Sequence, residues 1–179
     1  MKVIGENIIH KGRFLDFKET KLILTDGKEK IWEKVSRKGP GAVGALVEHV
    51  DNQTFILVEQ FRPPVNSRVL ELVAGVIDKP GKTKEEIIAE EILEETGYIA
   101  RSIEFVMSGP KSPGMTDEMS YDYYARVSGP RGEQNLGESE DIEVIEVEKK
   151  DINRLLEAKQ KSGVLVSPGI SAMLYKLLL

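Results

Sequence analysis

The chain reads as an α+β protein built on a mixed, largely antiparallel sheet. Three observations predict this. Short strand-like runs separated by turn residues fill the first half. One strongly capped helix follows them near the middle. The regular strand–helix alternation of a doubly wound parallel sheet is absent. With 179 residues, 40% of them hydrophobic, there is material for one domain with a substantial core and a small appendage.

Val3–Ile9, Phe14–Leu24 and Lys30–Val35 have strand composition or alternation, and Asp26-Gly27 between the last two is a hairpin signal. These strands are expected to form a small antiparallel unit over residues 1–38. Arg37–Gly41 then reads as a break before a second domain, 39–179. Ala42–His49 and Phe55–Phe61 are apolar strands around a turn at Asp51-Asn52, and Pro63-Pro64 ends the second. Val69–Val73 is a further short strand, followed by a loop from Gly75 to Gly81. Thr83–Thr96 is the clearest helix. Thr83 and Glu86 make a capping box, Ile87, Ile88, Ile92 and Leu93 an apolar stripe, and Gly97 the stop. Strands are expected at Ile99–Met107, Met119–Val127 and Ile142–Val147. Helices are expected at Asp151–Lys161 and from Ser167-Pro168 to Leu179.

Composition excludes several classes of function. The formal net charge is −5 and the basic residues form no stripe, which argues against nucleic-acid binding. There is no cysteine, hence no disulfide, thiolate metal site or Cys nucleophile. The N-terminal residues lack the apolar core of a secretory signal, and no apolar run approaches the roughly 20 residues of a membrane span. The expected setting is the cytoplasm. His10 and His49 have no partner at ligand spacing, and Tyr98, Tyr121, Tyr123 and Tyr124 read as packing residues.

The most informative stretch is Gly75–Tyr98. Glu91, Glu94 and Glu95 lie at i, i+3 and i+4, which puts their carboxylates on one helical face. Like charges at that spacing repel, and a cluster of hard oxygen ligands is what Mg²⁺ or Mn²⁺ requires. An acidic run by itself reads as a solvated face. Here a Gly-rich loop precedes it and Thr96-Gly97 closes it.

In that context Gly75–Tyr98 resembles the Nudix box: a glycine, a loop, a helix with Arg-Glu-x-x-Glu-Glu, and a closing glycine. The flanks resemble the branch that hydrolyses ADP-ribose and other nucleoside-diphosphate sugars. The matching segments are Trp32–Arg37, Glu59–Pro64, Leu70–Gly75, Ser112–Glu118 and Glu138–Val144, in the branch's order. The resemblance implies a Nudix α/β/α sandwich preceded by the small N-terminal β-unit. It implies a pyrophosphatase that releases a nucleoside monophosphate and a sugar phosphate, with Mg²⁺, or else Mn²⁺, as cofactor.

By the same resemblance Glu91 and Glu95 bind the metal, with the carbonyl of Ala74 beside them. Glu94 is either a ligand or an acceptor just behind the ligands. Glu140 is the expected catalytic base, with Glu138 and Asp141 as neighbours, on a loop expected to stand off the metals until substrate arrives. Arg62, and less strongly Arg37, would contact phosphate or ribose, with Glu71 supporting Arg62 or the metal ligands. Glu118 would touch the sugar or diphosphate. Trp32 would stack on the base, supplied across a homodimer that exchanges its N-terminal strands.

Two positions depart from the box. Glu90 replaces its arginine and Lys82 its earlier glutamate, in a loop one residue longer, with Pro80 the insertion. The double reversal suggests compensation by Lys82 or Lys84. Two other readings stay open: a hydrolase of dinucleoside polyphosphates or nucleoside triphosphates, and a catalytically weak ligand sensor on the same fold.

Overall fold

The structure is a computed structural model and describes residues 1–138 and 140–178. It resolves into two compact units. The smaller contains Met1–Ala42, Val76–Asp78 and Ser108–Ser120; the larger contains Val43–Gly75, Lys79–Met107 and the chain from Tyr121 onward.

In the smaller unit β1 (Lys2–Lys11), β2 (Leu15–Ile23) and β3 (Glu29–Arg37) form an antiparallel meander in that order. The Asp26-Gly27 turn closes the second hairpin. Gly27 takes φ +82°, and Asp26 accepts a 3.1 Å bond from the Lys28 amide. Beyond these strands the unit also recruits Ser112–Glu118. The Val35 amide donates to the Met115 carbonyl at 2.9 Å, and Lys34 and Ser36 both donate to Asp117.

Among the described residues the larger unit is a mixed sheet with three α-helices. Its strands are β4 (Ala42–His49), β5 (Thr54–Arg62), β6 (Ser67–Glu71), β7 (Val73–Val76), β8 (Ala100–Pro110), β9 (Met119–Val127), β10 (Ile142–Glu148) and β11 (Leu165–Val166). Their order is β11-β6-β5-β4-β9-β8, with β10 paired to β5 and β7 to β4. The β11–β6 pair is parallel, and β5 is antiparallel to β4, β6 and β10. The helices are α1 (Lys84–Thr96), α2 (Ile152–Lys161) and α3 (Pro168–Leu178). The expected end of the last helix at Leu179 lies outside the described residues.

The Val69–Val73 run, expected as one strand, divides at Leu72. The residues before the break pair with β5 and β11, and those after it with β4. A two-residue strand such as β11 carries too little pattern to be read from sequence. Leu46, Leu57, Leu70, Leu72, Ile170 and Met173 fill the core beneath this sheet. Among the described residues no helix is long and apolar enough to cross a membrane.

Helix α1 carries the acidic face, and its start is set by Thr83. The Thr83 hydroxyl accepts from the Glu86 amide at 3.2 Å, and the Glu86 carboxylate accepts from the Thr83 amide at 2.7 Å. Ile87, Ile88 and Ile92 are fully buried. Leu93, expected in the same stripe, is instead 45% exposed, because it faces away from those three side chains. Thr83→Ala removes one side of the capping box. It is expected to lower stability by about 1 kcal/mol, measured by chemical denaturation, with little change in helix content.

Candidate active site

Glu91, Glu94 and Glu95 share one face of α1, and they differ sharply in environment. Glu95 is buried, Glu91 nearly so, and Glu94 is half-buried. The Glu95 carboxylate accepts from the Ala74 amide at 3.3 Å. Burial pushes its pKa up to about 8. The Ala74 bond opposes the shift, the charges of Glu91 and Glu140 add to it, and Arg62 pulls the other way. Burial also raises the Glu91 carboxyl; Lys79 draws it down, while Glu94 and Glu140 push it up.

Gly75, the first residue of the box, has a local reason. A Cβ at that position would overlap the Glu91 carboxyl group, so only glycine lets the carboxylate lie against the backbone of β7. Gly97 answers two demands. It has φ +75°, and a Cβ there would collide with the Gly132 carbonyl.

That second contact exposes a feature invisible in sequence. The segment after β9 runs along the C-terminal end of α1 and meets its last carbonyls, which have no partners within the helix. Arg131 Nε donates to Thr96 O at 3.0 Å, the Gly132 amide to Gly97 O at 2.9 Å, and the Asn135 amide to Glu94 O at 2.9 Å. Gln134 donates to both Glu95 O, at 2.6 Å, and Ile142 O, at 3.2 Å. The segment that leads into Glu140 is thereby tied to the helix bearing the carboxylates. Glu140, expected to stand off the carboxylates, lies after this segment, and its charge adds to the upward shift at Glu91 and Glu95. Its Oε2 accepts from the Gly137 amide at 2.7 Å.

The next residue, Asp141, pairs with Arg68 at 2.9 Å. Arg68 is fixed in turn by the buried Glu59, donating to its carboxylate at 2.7 Å and to its carbonyl at 2.9 Å, and Lys159 reaches the same carboxylate. No sequence motif singled out Arg68, which links Glu59, nine residues before it, to Asp141, 73 residues after it.

Arg62 ends β5 and pairs with Glu71 of β6 at 2.6 Å, the support expected of Glu71. A cavity of about 670 Å³ opens beside the pair, walled by Pro64, Val69, Val164 and Leu165.

The reversed charges of the box meet directly. Lys82 is ion-paired with Glu90. Lys84, the other candidate, lies over the Tyr121 ring, 4.4 Å from its centroid. A second cation joins the first: Lys79 Nζ is 3.0 Å from Glu90, 3.6 Å from Glu91 and 3.8 Å from Glu94.

Trp32, Arg37 and Glu118 gather in the smaller unit. Trp32 is 47% exposed, and its indole N–H donates to the Gly114 carbonyl at 3.2 Å. Arg37 and Glu118 pair with each other at 2.9 Å. Tyr98 and Tyr123 are buried, consistent with packing.

Carboxylates are donors that suit a hard divalent ion, and Gly75 leaves room for that of Glu91. Lys79 stands against Glu91 and Glu94, and among the described residues no group of three or more His, Cys, Asp or Glu is placed to hold a metal ion.

Residues 38–166 match the family described as NUDIX domain. The ADP-ribose pyrophosphatase of Bacillus subtilis is 33% identical over 160 residues, spanning 89% of this chain and 84% of that protein. The ADP-sugar pyrophosphatase of Mus musculus is 31% identical, spanning 87% of this chain and 77% of that protein. The crystal structure of an ADP compounds hydrolase superposes with a TM-score of 0.72 at 18% identity, over 87% of this chain and 82% of that one. At that identity the likeness speaks for the fold.

Glu95 gives the metal-free protein a pH dependence. Its folded pKa of about 8 lies above the ordinary 4.5, so folding favours the protonated form. The stability it contributes is complete below pH 4.5 and is lost as pH rises through about 8. Metal-free protein is therefore expected to melt at a lower temperature at pH 9 than at pH 6. Glu95→Gln should flatten that difference; an unchanged difference would assign it to another group.

Proposed function

Because the chain belongs to the Nudix family, we propose that it hydrolyses the pyrophosphate bond of ADP-ribose or a related nucleoside-diphosphate sugar with a divalent metal ion. The observation that carries this reading is the carboxylate face of α1, backed by Gly75 and tied through residues 131–135 to the approach of Glu140. The choice of substrate rests on the relatives named above.

Glu91, Glu95 and the Ala74 carbonyl would hold the ion, Mg²⁺ in the first instance, with Glu94 a ligand or an acceptor behind it. A divalent ion bound there supplies positive charge to the diphosphate oxygens and makes water a better nucleophile. Glu140 takes the proton of the attacking water, which forms the new P–O bond. The bond from that phosphorus to the bridging oxygen breaks, and the bridging oxygen leaves on the other phosphate. Arg62, oriented by Glu71, presents its guanidinium to a phosphate or ribose oxygen. The cavity beside it has room for a group attached to the diphosphate. Arg37 and Glu118 serve as further substrate contacts. The enzyme is placed in the cytoplasm.

We also infer a homodimer that exchanges its N-terminal strands, residues 1–38 forming the exchanged unit and 39–179 the catalytic domain. Val3, Ile8, Ile9, Ile31 and Trp32 are exposed on the small sheet, more apolar surface than an isolated sheet gains by showing to water. Trp32 then stacks on the base.

Purified protein is to be incubated with ADP-ribose, GDP-mannose, UDP-glucose and ATP, with Mg²⁺ and with EDTA. Monophosphate release from the sugars, abolished by EDTA, is expected. Glu140→Gln is expected to lower kcat by on the order of 10²–10⁴-fold with little change in KM. Binding without turnover of any of the four would point to the sensor instead. In sedimentation velocity the chain is expected to run as a dimer. Ile8→Glu with Ile31→Glu should produce monomer; a monomeric parent chain would remove the exchanged-strand reading.

A further inference from the structure

Lys79 sits in the lengthened loop of the box, immediately before Pro80. A residue before proline is biased to extended backbone. Pro80 and Gly81 then occupy the middle of a turn closed by the Lys82 amide donating to the Lys79 carbonyl at 3.4 Å, with Gly81 at φ +83°. This Pro-Gly turn brings residues 79 and 82 close together, and both ammonium groups land on Glu90. Only Lys79 reaches further, to 3.6 Å from Glu91 and 3.8 Å from Glu94.

The two lysines therefore differ in what they neutralise. Lys82 answers Glu90, the residue that replaces the arginine of the box. Lys79 is shared between Glu90 and two carboxylates of the metal-binding face. One ammonium among three carboxylates relieves the repulsion along α1, and it does so on the oxygens a divalent ion needs.

We propose that Lys79 is a tethered counter-ion that competes with the divalent metal for Glu91 and Glu94. With no metal, it holds the carboxylate face together. When the ion enters, Lys79 gives up Glu91 and Glu94 and keeps Glu90, its nearest partner, so no charged group is left stranded. The competition raises the metal concentration the site requires. The inference rests on the reading of the α1 carboxylates as the metal site.

The test is direct titration of the 179-residue chain, stripped with EDTA and dialysed, with MnCl₂ alone, following bound Mn²⁺ by electron paramagnetic resonance. Lys79→Met is expected to bind Mn²⁺ roughly tenfold more tightly than the parent, since removing a nearby positive charge favours the cation. Lys79→Arg keeps the charge and is expected to bind like the parent. Lys82→Met, which removes a cation confined to Glu90, should change affinity less than Lys79→Met. In thermal melts the metal-free Lys79→Met protein should be less stable than the parent, and Mn²⁺ should raise its Tm by more.

If parent and Lys79→Met bind equally while Glu91→Gln abolishes binding, the competition is wrong and the metal site stands. If Glu91→Gln leaves Mn²⁺ binding unchanged, or neither protein binds, the metal reading of α1 fails and this inference with it.

Discussion

The structure turns on mutual repulsion along one face of α1. Glu91, Glu94 and Glu95 place three acidic groups at helical spacing, and Glu90 adds a fourth beside them; burial answers the crowding at Glu95 by favouring its protonated form. They also stand in the second half of the helix, where the backbone dipole is negative and acidic groups are least welcome. No basic residue lies in the last turn to relieve them. An isolated peptide of this sequence would have reason to unwind. In the protein, the opposing contributions come from elsewhere: the Ala74 amide, Arg62, Lys79 and Lys82 all bring positive charge or a hydrogen-bond donor to this face.

Keeping such a helix folded requires support at both ends and along its back. The capping box fixes the start, and Ile87, Ile88 and Ile92 anchor the buried side. At the far end, where the dipole and the carboxylates act together, residues 131–135 donate to Glu94, Glu95, Thr96 and Gly97 carbonyls. The same bonds that stabilise the helix end deliver the chain to Glu140. Helix support and placement of the proposed base are thus one structural solution. Arg68, gripping Asp141 from the buried Glu59, secures the other side of that residue.

What was legible in sequence follows from the range of the interactions involved. The capping box, the Asp26-Gly27 hairpin and the i, i+3, i+4 carboxylates are local, so their spacing alone discloses them. The break at Leu72, the pairing of β11 with β6 and the clasp of residues 131–135 on α1 depend on contacts between distant segments. Leu93 shows the limit of periodicity: an apolar residue next to a buried stripe lies outside it by one helical step. Lys79 shows another limit. Its charge was plain in the sequence, but its reach to Glu91 and Glu94 depends on the geometry of a Pro-Gly turn. The ion pair of Lys82 with Glu90 was legible because reversal at two positions of one motif invites the inference of contact.

The three departures from the box then read as one coupled change. Placing Glu90 where the box has arginine removes a cation from the carboxylate face and adds an anion to it. Lys82 alone neutralises Glu90 but restores nothing to Glu91 and Glu94. A second cation is needed, and it must arrive from the same side, because the back of α1 is apolar and its end is occupied by residues 131–135. The inserted proline meets that need: it sets a turn that carries Lys79 and Lys82 together onto one face. Arginine in the box is fixed to the helix, whereas Lys79 stands on a loop and can yield its partners. Moving the neutralising charge from helix to loop keeps Glu90, Glu91 and Glu94 balanced and makes that balance displaceable, as the proposed exchange of counter-ion for metal requires.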